Sequence, residues 1–169
     1  IEMKSITHHS CEIEITEKEK DLYKSIPINF TMSKIVETIR LKQCSIGCNI
    51  VPDKFLNELW DDTKDNTRLD SVIRCAIENP NCVIFCSYTK EIDYINKKLK
   101  EITSRVDIIN GKKTQKSKIK ILENLEKLDY LIIQINSGGT GLNLQKFNNA
   151  IITSPIYNIM LEEQAIARI

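Results

Sequence analysis

Glycine is scarce in this chain, five in 169 residues, and three of the five fall within four positions, at Gly138, Gly139 and Gly141. That rarity makes the cluster informative. Without side chains, glycines let backbone N–H groups approach a charged ligand closely and permit the left-handed turns of an anion-binding concavity. Net charge is nearly absent as well. With 24 Lys and Arg against 23 Asp and Glu, the formal charge is +1, so no global field steers a polyanion here and any such contact must come from a local patch. Long apolar runs are missing: none approaches the roughly 20 residues of a membrane span, and Ile1-Glu2-Met3-Lys4 opens no signal peptide. These absences point to an intracellular globular protein that does not enter a membrane, with nucleus, cytoplasm and virion left open.

The cysteines Cys11, Cys44, Cys48, Cys75, Cys82 and Cys86 read as reduced thiols, given the chain length, the lysine content and the lack of a secretory signal. Cys82 and Cys86 flank an apolar strand and read as buried residues. A zinc site from His8, His9 and Cys11 with Cys44 and Cys48 would combine Cys-x-x-x-Cys with ligands far upstream, a spacing that fits no compact zinc module. No metal ligands are assigned, and whether Cys44 and Cys48 bind metal stays open.

With 41% hydrophobic residues the chain can bury one ordinary core. Residues 1–66 read as an N-terminal lead and helical segment, and 67–169 as the regular core. In the lead, Cys11-Glu12-Ile13-Glu14-Ile15 alternates like a short strand, and Thr16-Glu17-Lys18-Glu19 carries a capping-box signature ahead of a helix through Leu22 and Tyr23. Helical stripes follow at Ile35, Val36, Ile39 and Leu41, then at Phe55, Leu56, Leu59 and Trp60, before an acidic loop at 61–66.

From Arg68 the pattern is regular. Helical spacing at Leu69, Val72, Ile73 and Ile77 leads to the strand Val83-Ile84-Phe85-Cys86. A helix over 90–102 precedes a strand at 106–109, a helix over 115–128 precedes a strand at 130–135, and the glycine loop leads to Ala150-Ile151-Ile152-Thr153. Short apolar strands alternating with amphipathic helices predict an α/β fold with a mainly parallel sheet covered on both faces. Such sheets bind ligands at the carboxyl ends of their strands. Here those ends are Ser87-Tyr88-Thr89, Asn110-Gly111-Lys112, residues 134–141 and Ser154-Pro155, which together form one candidate surface.

Gly111-Lys112-Lys113-Thr114 resembles the end of a phosphate-binding P-loop, but the full pattern needs a glycine five positions before Gly111, and Val106 stands there. No Asp-Glu pair follows an apolar strand to hold magnesium. The segment therefore reads as a basic loop able to touch a nucleic-acid phosphate, and the chain lacks the complete machinery of hydrolysis. Gln164 and Arg168 are one helical turn apart and share a face. By default that face is solvated, although an arginine can approach a phosphoryl oxygen bidentately and stabilise charge that develops during transfer.

Taken in order, these pieces resemble the second motor domain of Swi/Snf-type ATPases within the superfamily 2 helicases and translocases, over roughly residues 7–169. The family's strand with Ile-Phe and a small polar residue corresponds to Val83-Ile84-Phe85-Cys86-Ser87. Its turn and following basic helix correspond to Asn110-Gly111 with Lys118 in place of the usual arginine, and its Gly-Gly-x-Gly-Leu-Asn-Leu motif is Gly138 to Leu144. Its final signature matches at Pro155, Asn158, Glu162, Gln164, Ala165 and Arg168. Departures from the family pattern are Ser154 for aspartate, Tyr157 for tryptophan, Ile159 for proline, and Gln134 where a Ser or Thr usually helps hold the strand's phosphate backbone. The chain ends before the second arginine of that last motif, which implies a helicase domain truncated within it.

The resemblance implies a RecA-like three-layer fold and an ATP site in the cleft between two RecA-like domains. This chain would supply Gly141, Asn143, Gln164 and Arg168 to the nucleotide, with Arg168 as the catalytic residue in the manner of an arginine finger. Nucleic acid, DNA by preference, would cross the strand-end loops at Ser87, Asn110, Gly111, Lys112 and Ser137. ATP and Mg2+ would be used by the complete protein, with Mg2+ held by the absent N-terminal RecA-like domain. The fragment itself is expected to be monomeric, to bind neither and to be inactive alone. The alternative is a noncatalytic nucleic-acid-binding or protein-interaction module on the same fold. A self-contained small-molecule enzyme would need a catalytic cluster that the sequence does not show.

Overall fold

The structure, a computed structural model, describes residues 7–24, 38, 67–136, 142–154 and 159–169. Along these the order is α1 (Glu17–Lys24), α2 (Thr67–Glu78), β1 (Cys82–Cys86), α3 (Thr89–Ile102), β2 (Val106–Ile109), α4 (Gln115–Glu123), a 3-10 turn (Leu125–Lys127), β3 (Tyr130–Gln134), β4 (Asn149–Ile152) and α5 (Ile159–Ile166). The four strands form one sheet in the order β2-β3-β1-β4. All three pairings are parallel, with Ile84 beside Ile132 and Ile151, and Ile108 beside Ile132. The expected parallel α/β sheet is present.

Successive residues of a strand face opposite sides of the sheet, and β1 shows why both sides are covered. Cys82, Ile84 and Cys86 pack with Leu69, Val72, Ile73 and Ala76 of α2 and with Ile92, Ile95 and Leu99 of α3. Val83 and Phe85 point the other way, into a second cluster with Ile121, Leu125, Leu131, Ile133, Leu144, Phe147 and Ala165. Each fully buried side chain of this size contributes about 1.5–3 kcal/mol relative to exposure. A strand buried on both faces therefore reads as the continuous apolar run seen in the sequence. Cys82 and Cys86 are fully buried, as expected.

Two expected elements differ. The helix expected over 115–128 ends at Glu123, because Asn124 leaves helical geometry (φ −113°, ψ 16°) while its Nδ2 donates to the Lys120 carbonyl at 2.9 Å. An asparagine amide that takes over a backbone partner in this way competes with the helical ladder, and the chain tightens into the 3-10 turn. Residues 11–15 form no strand, since alternation alone does not supply a neighbouring edge. The capping box beside them is real: Thr16 N–H donates to Glu19 Oε2 at 2.7 Å and Glu19 N–H to Thr16 Oγ1 at 3.2 Å. The same Glu19 oxygen accepts from Thr67 Oγ1 at 3.0 Å, tying α1 to the start of α2.

The stripes at 35–41 and 55–60, the acidic loop at 61–66, Cys44 and Cys48 lie outside the described residues. Among the described residues no group of three or more His, Cys, Asp or Glu could hold a metal, and no helix is long and apolar enough to cross a membrane.

Candidate functional site

Parallel pairing brings every strand's carboxyl end to one edge, and the register places the candidates along it. Cys86 pairs with Gln134, Ile109 with Ile133 and Phe85 with Ile152, so Ser87, Asn110, Ile135 and Thr153 emerge side by side. Ser137 and residues 138–141, which include Gly141, lie outside the described residues.

On the β2 side, the turn that carries the basic residues is built from its own polar groups. Asn110 is buried, its Oδ1 accepts the Lys112 N–H at 3.1 Å and its carbonyl accepts the Lys113 N–H at 3.3 Å. Asparagine favours such turns because its side chain can stand in for backbone. Gly111, exposed, donates its N–H to Gln134 Oε1 at 3.2 Å, so the residue that departs from the family pattern grips this turn from the end of β3. Lys112 is exposed, whereas Lys113 pairs with Asp107 at 2.7 Å. Thr114 Oγ1 accepts the Ser117 N–H at 3.3 Å as the N-cap of α4, an ordinary capping role for the threonine of the P-loop-like run.

On the other side of the sheet edge, the segment after the glycines meets the end of the chain. Leu144 N–H donates to the Arg168 carbonyl at 3.0 Å. A recess of about 160 Å³ opens there, floored by Phe85, Ile133, Leu144 and Ala165, with Gln164 and Arg168 among its lining. Arg168 lies just beyond the end of α5, where the backbone tightens through Arg168 N–H to the Ala165 carbonyl at 3.4 Å. Gln164 and Arg168 nevertheless reach one recess. Asn143 is exposed, and its Oδ1 accepts the Gln145 N–H at 3.1 Å in a local turn.

At the exits of β1 and β4 lies a polar cluster that no local sequence pattern singles out. Glu91, fully buried in the first turn of α3, accepts the Ser87 and Tyr88 N–H groups on Oε2, both at 2.8 Å. Its Oε1 accepts the Thr153 hydroxyl at 2.9 Å. Arg68 of α2 donates Nη2 to the Thr153 carbonyl at 3.0 Å, and Ser87 Oγ lies 3.2 Å from Ser154 Oγ. Burial pushes the Glu91 carboxyl above the usual glutamate range, against the opposing pull of the Tyr88 N–H, the Thr153 hydroxyl, the Ser87 N–H and the Arg68 charge. Burial likewise lowers Arg68, and the Glu91 charge works against that shift. The available signal was the acid three residues after Tyr88, a helix-capping position; its partner Thr153 is 62 residues away, beyond any local pattern.

The chain is similar to known proteins in sequence and in fold. The model of the helicase conserved C-terminal domain matches residues 65–169. The DNA repair protein RAD5 of Debaryomyces hansenii is 28% identical over 131 residues, covering 69% of this chain and 11% of that protein. The "Uncharacterized ATP-dependent helicase MG018" of Mycoplasma genitalium is 28% identical over 127 residues, covering 72% of this chain and 12% of that protein. The chain thus spans about a ninth of the length of these relatives. Among solved structures, the Sulfolobus solfataricus SWI2/SNF2 ATPase C-terminal domain superposes with a TM-score of 0.56 at 15% identity, over 81% of this chain and 63% of that one. The C-terminal part of the Fun30 ATPase domain gives 0.52 at 17% identity, over 82% of this chain and 46% of that one. At those identities the agreement is one of fold, and it is the RecA-like fold expected.

The raised pKa of Glu91 has a consequence for stability. The folded state binds that proton more tightly than the unfolded chain, so the contribution is full below the ordinary glutamate pKa and is lost as pH rises through the higher folded value. Glu91→Gln has no carboxyl to titrate. Chemical denaturation at pH 4 and pH 8 is expected to show the wild-type advantage over Glu91→Gln shrinking, or reversing, at the higher pH; a gap that widens would contradict the shift.

Proposed function

The chain belongs to the helicase conserved C-terminal domain family, and on that premise we propose that it is the second motor domain of a Swi/Snf-type, ATP-dependent translocase or helicase acting on nucleic acid, double-stranded DNA by preference. The observation that carries this reading is the hydrogen bond from Leu144 N–H to the Arg168 carbonyl at 3.0 Å. It draws the leg that follows the glycine loop and the final arginine to one place, as one wall of a shared nucleotide pocket requires.

The residues present fit a nucleotide on chemical grounds. Arg168 carries a fixed positive charge at the edge of a recess, Gln164 can donate and accept on the same rim, and glycines at 138–141 permit close backbone approach. Gly141, Asn143, Gln164 and Arg168 would hold ATP from this side, and Mg2+ would be held by the N-terminal RecA-like domain that carries the P-loop. Bound ATP supplies the phosphoryl group whose transfer drives the motor. The work of this chain is electrostatic and steric: Arg168 brings charge to the phosphates when the cleft closes, and the apolar floor excludes water around it. Residues 1–66 would be a lead that precedes the motor core at 67–169, in an intracellular protein.

Nucleic acid would cross the strand-end loops at Ser87, Asn110, Gly111, Lys112 and Ser137. Between positions 111 and 122 the sequence has Lys112, Lys113, Lys116, Lys118 and Lys120 and no acidic residue, which supplies the local patch that the +1 net charge requires. Lys112, Lys116 and Lys120 are exposed. Lysines near a helix N-terminus oppose the macrodipole, and those four apart repel, so the cluster costs helix stability and suits an external polyanion. RAD5 is named as a DNA repair protein, which supports DNA as that polyanion.

Two measurements test the reading on the full parent polypeptide. Nucleic-acid-stimulated ATP hydrolysis is expected to fall by at least about 100-fold in Arg168→Ala; equal rates would remove Arg168 from the site and favour a noncatalytic module. Replacing Lys112, Lys116 and Lys120 by serine is expected to lower the slope of log affinity against log salt for duplex DNA by about 2 to 3, with no loss of thermal stability. An unchanged slope would remove this face from the nucleic-acid path.

A further inference from the structure

Glu91 is a fully buried carboxylate that the cleft chemistry proposed above does not use, and it lies at the exits of β1 and β4. One of its oxygens holds the exit of β1 through the Ser87 and Tyr88 N–H groups, and the other holds the exit of β4 through the Thr153 hydroxyl. The β4 exit is fixed further: Thr153 donates its N–H to the Phe85 carbonyl at 3.1 Å, and its own carbonyl accepts from Arg68 at 3.0 Å. Ser87 and Ser154 add a hydroxyl pair across the same gap at 3.2 Å. Phe85, whose carbonyl receives the Thr153 N–H, also lines the recess with Gln164 and Arg168.

We propose that Glu91 is a positioning residue that makes the β1 and β4 exits move as one body, so that nucleic acid at Ser87 and nucleotide at the Gln164 and Arg168 side each alter the affinity of the other. The inference rests on the motor-domain reading. A helix cap alone would need only the oxygen that receives the Ser87 and Tyr88 N–H groups. The second oxygen does something a cap does not require, since it reaches a different strand. Hydrogen bonds in a buried site are stronger than in water and costly to leave unmade, so a displacement of the Ser87 loop is carried to Thr153 rather than absorbed. The bridge depends on hydrogen-bonding geometry more than on charge. A glutamine could keep its oxygen on the two N–H groups and donate its amide to Thr153 Oγ1, whose hydroxyl then turns to the Phe85 carbonyl, 3.2 Å away.

The test measures the affinity of the full parent polypeptide for a fluorescent DNA duplex by anisotropy, with and without a non-hydrolysable ATP analogue. The wild type is expected to show a coupling ratio in the range of about 5- to 150-fold typical of linked sites. Glu91→Leu and Thr153→Val should bring that ratio to near one while DNA affinity without the analogue stays within about threefold, and Glu91→Gln should preserve the coupling. Thr153→Val leaves the α3 cap intact, so it decides the matter if Glu91→Leu does not fold. A wild-type ratio of one would sink the motor reading itself. A coupled wild type whose Thr153→Val variant remains fully coupled would overturn the role of Glu91 alone.

Discussion

Parallel pairing of the four strands is the constraint on which the rest depends. It sends every strand out at the same edge, so that segments far apart in the chain become neighbours: Ser87 beside Ser154, and Gly111 beside Gln134. Parallel strands need a crossover between them, and the helices that make these crossovers cover the sheet's two faces. The apolar clusters on the two faces of β1 are therefore what positions the polar groups at its end. A single antiparallel strand would send one of these loops to the opposite edge.

The segments that lead to and from that edge are secured by polar groups that are costly to bury. The leg after the glycines is tied at one end by the Leu144 bond to Arg168. At its other end Lys146 Nζ donates to the carbonyls of Leu125 (2.7 Å) and Leu128 and lies 5.1 Å from the Phe147 ring centroid. Asn81, with a left-handed φ of 59° that asparagine tolerates well, donates its amide to the Lys146 carbonyl at 2.9 Å and accepts the Asn148 N–H at 3.1 Å. On the opposite side, Glu91 and the half-buried Arg68 both bind Thr153, and the charge of each offsets part of the desolvation of the other. Such a pair is weak evidence of stability, since apolar residues of the same volume often serve as well. Its value lies in specifying which strand ends meet.

What could be read from the sequence was whatever depends on short-range pattern. The strand at 106–109 was expected at its observed bounds, and β1 and β3 were within a residue at each end, because continuous apolar runs between helical stripes leave few other readings. The helix α4 ends earlier than its pattern suggests because one asparagine amide outcompetes a favourable helical stripe. The stretch at 11–15 alternates without forming a strand, because alternation does not reveal whether a partner edge exists. At the candidate site, the spacing of Gln164 and Arg168 marks them as a pair, and both line one recess. The Glu91 bridge could not be found this way, since its meaning comes from Thr153 on another strand. Gln134 could be seen as a departure from the family pattern, but its grip on Gly111 needed three-dimensional placement.

On the reading proposed above, this chain is one wall of a nucleotide pocket whose other wall lies on another domain, with Arg168 and the glycine run on this side. The most direct measurement is calorimetric titration of a non-hydrolysable ATP analogue with Mg2+ into this chain alone and into the parent polypeptide. The account predicts saturable binding to the parent and none to the chain by itself. Equally tight binding to the isolated chain would contradict the shared pocket.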